Sequence, residues 1–94
     1  MKWNVTLRPR AETDLHEAVR WYEARRAGLG EEFLAEVTRA INRLEQQPDR
    51  RPCYYRDFRR LITRRFPYKL FYRLEKDRVI VFRILHASRD HRKA

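Results

Sequence analysis

The 94-residue chain has room for one hydrophobic core and no second domain, and its 43% hydrophobic and 13% aromatic content excludes a disordered tail despite low mean hydropathy. A net charge of +10, with 19 of the 23 cationic residues arginine, points to an anionic partner, because the flat guanidinium fork pairs bidentately with phosphate and carboxylate. A single cysteine, Cys53, excludes an internal disulfide and a cysteine-based zinc site.

The N-terminal stretch "MKWNVTLRPRAETD" lacks the apolar run of a signal peptide, and no later segment approaches the ~20 apolar residues of a membrane span, so a cytoplasmic, reducing setting without a membrane partner is expected. Within it, Trp3, Val5 and Leu7 alternate with polar neighbours, the period of a half-buried strand. Pro9 ends that strand and suits the first position of a helix. From Ala11, the residues Leu15, Ala18, Val19 and Tyr22 recur at helical intervals, and Glu12 and Asp14 fall where negative charge suits the macrodipole. The "AGLG" segment stops this helix with two glycines in three residues. A second helix follows at once, with Phe33, Val37, Ala40, Ile41 and Leu44 on one stripe, and ends before Pro48 and Asp49. Two amphipathic helices joined by so short a turn form an antiparallel hairpin, and both stripes need a sheet face to cover them.

"DRRPCYYRDF" reads as an irregular connection and "FRRLITRRF" as a strand of unsettled register. "YKLFYRL" divides Tyr68, Leu70, Tyr72 and Leu74 from Lys69, Phe71 and Arg73. After the tight turn "EKDR", the segment "VIVFRIL" divides Ile80, Phe82 and Ile84 from Val79, Val81, Arg83 and Leu85. Two alternating strands around a short polar turn make an antiparallel hairpin. The expected fold is α+β in the order β-α-α-β-β-β: an antiparallel sheet with the helical hairpin on one face, in a single domain over residues 1–94. No group of metal-ligand type and no phosphate-cradling glycine loop occurs, so no cofactor and no metal are expected.

The segment "RRFPYKLFYRLEKDRVIVFRILHASRD" threads six arginines and two lysines through two apolar strands. Lys69 and Arg73 share a strand face and Arg83 lies on the next strand, so a cationic cleft is expected there. The competing readings are local. Arg64 and Arg65 suit a solvated face as well as a binding surface, Arg89 and Asp90 suit a salt bridge, and His86 suits a strand-terminal hydrogen bond as well as acid–base work. The aromatic row Tyr54, Tyr55, Phe58, Phe66, Tyr68, Phe71 and Tyr72 reads either as core and cross-strand pairing or as a stacking platform.

"DLHEAVRWYEARRAGLGEEF" resembles the first helix and GLG turn of the RelE/ParE toxins of bacterial type II toxin–antitoxin modules. "RRFPYKLFYRLEKDRVIVFRILHASRD" resembles their last three strands, from the Phe-Pro-Tyr start to the His-x-x-Arg-Asp end. The similarity covers nearly the whole chain, and the long helical hairpin with "WYE…GLG" leans to the ParE-like branch. The resemblance implies a growth-inhibiting toxin neutralised by a cognate antitoxin, in a hetero-oligomer, with an acidic C-terminal antitoxin segment on the toxin and a DNA-binding N-terminal part. A ParE-like member blocks DNA gyrase without catalysis; a RelE-like member cuts messenger RNA on the ribosome. For the nuclease reading, the resemblance assigns catalysis to Lys69 and Arg89, with His86 as a further acid–base candidate, and puts Arg60 near a functional lysine. The terminal aromatic that often completes that constellation has no counterpart in "DHRKA". Arg60, Arg64, Arg65, Arg73 and Arg83 are the candidates for antitoxin, target or phosphate contact. A basic nucleic-acid-binding domain without toxicity is the remaining alternative.

Overall fold

The structure, a computed structural model, describes residues 2–88. Strand β1 (Asn4–Leu7) leads into helices α1 (Pro9–Arg25) and α2 (Leu29–Gln46), a 3-10 turn (Pro48–Arg50), and strands β2 (Arg59–Ile62), β3 (Tyr68–Glu75) and β4 (Arg78–His86). The sheet order is β1-β4-β3-β2. The last three strands form the expected antiparallel meander. β1 instead lies parallel to β4, from Asn4↔Arg78 to Leu7↔Val81. Alternation in a short strand sets which face it buries but not which neighbour it chooses, so this pairing had no sequence signal.

α1 begins with Pro9 at its first turn after the extended Arg8, where the missing amide proton costs nothing and the fixed φ is already helical. Glu12 occupies the first turn as expected. Asp14 does not serve the macrodipole: it is buried and turned onto β4. The α1–α2 connection is tied by one carboxylate. Glu23 accepts the Gly28 N–H at 2.9 Å and the Gly30 N–H at 3.0 Å, satisfying amides that a helix start leaves without partners. Gly28 sits in the left-handed region at φ 89°, and a β-carbon on Gly30 would lie 2.7 Å from the Val19 carbonyl oxygen. The first glycine supplies the turn and the second the close approach of the helices.

Both helices cover the same sheet face. Phe33, Val37, Ala40 and Leu44 of α2 and Ala11 and Ala18 of α1 are buried against Leu70, Tyr72, Val79, Val81 and Ile84. Phe33 packs on Tyr22, Phe66 and Tyr68. The Tyr72 hydroxyl is fully buried and donates to the Pro48 carbonyl at 2.6 Å, joining the sheet to the turn after α2; burial raises its pKa above the ordinary phenol value. At the β2–β3 turn, Glu36 of α2 accepts the N–H groups of Arg64 and Arg65, each at 3.0 Å, and Thr63 Oγ1 receives the Tyr68 N–H at 3.0 Å.

One expectation about the faces is overturned. The β3–β4 register runs Phe71↔Arg83 and then Tyr72↔Val81, so Phe82 is an extra residue in a β-bulge. A bulge shifts the two-residue period. Val79, Val81 and Ile84 therefore face the helices together, while Phe82, Arg83 and Leu85 turn to the opposite face.

Two substitutions test these ties by chemical denaturation. Gly30→Ala is expected to destabilise the fold by about 1–3 kcal/mol, the usual cost of forcing a methyl into a packed contact. Tyr72→Phe is expected to cost about 1–2 kcal/mol, because it leaves the buried Pro48 carbonyl without its donor.

Candidate functional site: an arginine-rimmed aromatic hollow

The helices leave the other sheet face uncovered, and the chain builds a hollow of about 600 Å³ on it. Its floor comes from Phe71 of β3 and from Phe82, Arg83 and Leu85 of β4. One wall is Arg8, Pro9 and Arg10 at the start of α1; the other is Tyr54, Tyr55 and Phe58 from the connection before β2. That connection curls back through Tyr54 N–H to the Phe58 carbonyl at 2.7 Å and Phe58 N–H to the Tyr55 carbonyl at 2.8 Å. Phe58 meets Phe82 edge to face, with ring centroids 5.2 Å apart.

Guanidinium groups lie over these rings. Arg8 is 5.6 Å and Arg73 5.2 Å from the Phe82 centroid, on a ring that carries a negative face. Arg60 lies 4.2 Å above Tyr54. Arg73 also pairs with Glu75 at 2.7 Å and approaches Asp57 at 3.8 Å; the Glu75 bond raises the Arg73 pKa, and the same bond lowers that of Glu75. Arg83 is held by Asp14 of α1: Nε donates to Oδ2 at 2.7 Å and Nη2 to Oδ1 at 3.1 Å. That pairing raises the Arg83 pKa. Asp14 Oδ2 also accepts the Ile84 N–H at 3.0 Å, on the stretch of β4 edge beyond the end of β1.

The residues singled out from the sequence divide between places. Arg60, Lys69, Arg73 and Arg83 share the open face, since Arg60 pairs with Phe71 and Lys69 with Leu85 across the strands. Arg64 and Arg65 do not. They form the β2–β3 turn over α2, where the Arg65 guanidinium pairs with Glu32 and lowers that carboxyl's pKa. His86 lies on the helix-covered face, its ring 5.3 Å from that of Tyr68, with Nδ1 accepting the Ser88 N–H at 3.1 Å. Lys69 and His86 are thus on opposite sides of the sheet. Arg89 lies outside the described residues.

The aromatic row divides as well. Phe66, Tyr68 and Tyr72 pack with the helices, and Tyr54, Tyr55, Phe58 and Phe71 face the hollow. Arg8 and Arg10 were missed in sequence because they flank a helix start and belong to no strand pattern; the only signal was their spacing around Pro9. Among the described residues lining the hollow there is no carboxylate and no imidazole. Among the described residues no group of three or more histidine, cysteine, aspartate or glutamate side chains could hold a metal ion, and no helix is long and apolar enough to cross a membrane. What the arrangement offers is flat apolar surface flanked by cations.

Comparison with known proteins agrees with this architecture. The ParE toxin of the type II toxin–antitoxin system parDE matches over residues 5–91. The fold is similar to a chain of the chromosomal ParDE toxin–antitoxin system from P. aeruginosa, with a TM-score of 0.80 at 17% identity over 90% of this chain and 96% of that one. It is also similar to a chain of the RelBE2 toxin–antitoxin complex from Mycobacterium tuberculosis, with a TM-score of 0.67 at 25% identity over 92% and 99% of the two chains. No curated protein matches in sequence. With a family match over nearly its whole length and a fold read independently from its residues, the chain belongs to the ParE toxin family of type II toxin–antitoxin systems.

Proposed function

We propose that this toxin acts by binding DNA gyrase without cleaving nucleic acid, and that a cognate antitoxin silences it by laying an acidic segment in the aromatic hollow. The observation that supports the binding mode most is the chemistry of the hollow: rings and guanidinium groups line it, with no carboxylate or imidazole among its described residues. Cleavage by 2'-hydroxyl attack needs a base and a proton source facing one phosphate. Lys69 and His86 do not converge on one, being on opposite sheet faces, and a guanidinium stays protonated and cannot serve as base. In this reading Arg60, Arg73 and Arg83, with Lys69 beside them, are contact residues for antitoxin or target.

The antitoxin's apolar side chains supply affinity by filling the space among Phe58, Phe82 and Leu85, and its carboxylates meet the arginine rim and speed encounter. The complex is a hetero-oligomer in the cytoplasm, and the antitoxin is encoded next to the toxin.

Inducible expression with and without the neighbouring antitoxin tests the target. Growth arrest with loss of gyrase supercoiling and intact messenger RNA is expected; discrete cuts in ribosome-bound messages instead would replace this reading with the nuclease one. For the silencing surface, Phe82→Ala is expected to weaken antitoxin binding by about 10-fold or more, as loss of a central aromatic anchor does. Reversing Arg8 to glutamate is expected mainly to slow association and flatten its salt dependence.

A further inference from the structure

The Asp14–Arg83 pair has a geometry that a purely structural tie does not require. The arginine fork is engaged from the side: Nε and Nη2 go to the two oxygens of Asp14. A guanidinium has a second fork, at its end, made by Nη1 and Nη2. Nη1 makes no hydrogen bond among the described residues, and Arg83 lines the hollow with its side chain about a quarter exposed. Asp14 is buried behind Arg83, outside the residues that line the hollow, and is anchored independently by the Ile84 N–H, so it holds its place whether or not Arg83 is present.

We propose that Asp14 is a positioning residue for partner recognition, fixing Arg83 so that its end fork receives a partner carboxylate in the guanidinium plane. The inference rests on the reading that the antitoxin's acidic segment occupies the hollow. Two consequences follow from the charges. Asp14 already neutralises Arg83, so the pair contributes direction rather than long-range attraction, which is left to Arg8 and Arg10 at the rim. Removing the Arg83 side chain alone uncovers the anchored Asp14 carboxylate behind it and leaves its charge without a counterion, which repels an acidic partner. Lysine at position 83 keeps the charge but presents no planar fork able to hold two carboxylates in one plane.

The test is the equilibrium affinity of the full chain for the antitoxin encoded beside it, with folding of each variant followed in parallel by thermal unfolding. Arg83→Lys and Asp14→Asn are each expected to weaken binding roughly 10-fold, about the worth of one charge-assisted fork. The double variant is expected to be no weaker than either single one, as residues acting through one contact are non-additive. Arg83→Ala is expected to bind more weakly than Asp14→Asn combined with Arg83→Ala, a reversal that loss of packing does not produce. If Asp14→Asn unfolds, the Arg83→Lys arm still decides, because it leaves Asp14 and its bond to Ile84 in place. Wild-type affinity in Arg83→Lys, while Phe82→Ala weakens binding, overturns the positioning role and leaves the hollow as the docking site. Wild-type affinity in Phe82→Ala as well removes the antitoxin from the hollow, and the positioning role with it.

Discussion

A single extra residue in β4 determines what the open face of this toxin presents. Strand side chains alternate with a period of two, so one inserted residue sends everything beyond it to the other side. Before Phe82, the valines at 79 and 81 serve the core; after it, Ile84 takes over that duty and Arg83 and Leu85 turn outward. Without the bulge, an isoleucine would meet solvent and a guanidinium would be driven under the helices. The core and the hollow are therefore two results of one local irregularity.

The positive charge is less available than its total suggests. Arg83 is paired with Asp14, Arg73 with Glu75 and Arg65 with Glu32, so three of the 23 cationic side chains are neutralised locally by carboxylates. Pairing fixes direction at the cost of field. Other guanidinium groups lie over rings, as Arg8 does over Phe82 and Arg60 over Tyr54, where the aromatic face steadies a cation while leaving its edge open. The surface combines steered and stacked arginines, which suits a polypeptide partner with both apolar and acidic side chains.

Much of this was legible in the residues. The helix stripes, the GLG turn and the β3–β4 hairpin are periodic signals backed by local chemistry, and the element order read from them agrees with the family. The errors have physical causes. The bulge at Phe82 is invisible because "VIVFRIL" is apolar in both registers, so alternation alone assigns faces wrongly. Asp14 looked like a first-turn charge because its partners are 69 and 70 residues away. Arg64 and Arg65 looked like part of the strand surface, yet their amides belong to Glu36. The hollow itself needed a loop, a helix start and two strands, and no pattern in one dimension links them.

The parallel pairing of β1 with β4 has a bearing on when the molecule exists at all. The last of the described strands, β4, lies between β1 and β3 at the centre of the sheet, and its partner residue Asn4 must wait for Arg78. Contacts of such long sequence separation form late, after the entropy of closing the chain has been met. Without β4 the chain keeps its helices and a β2–β3 hairpin, but β1 has no partner and the hollow lacks Phe82, Arg83 and Leu85. The partner-facing surface thus waits on one strand, by topology alone.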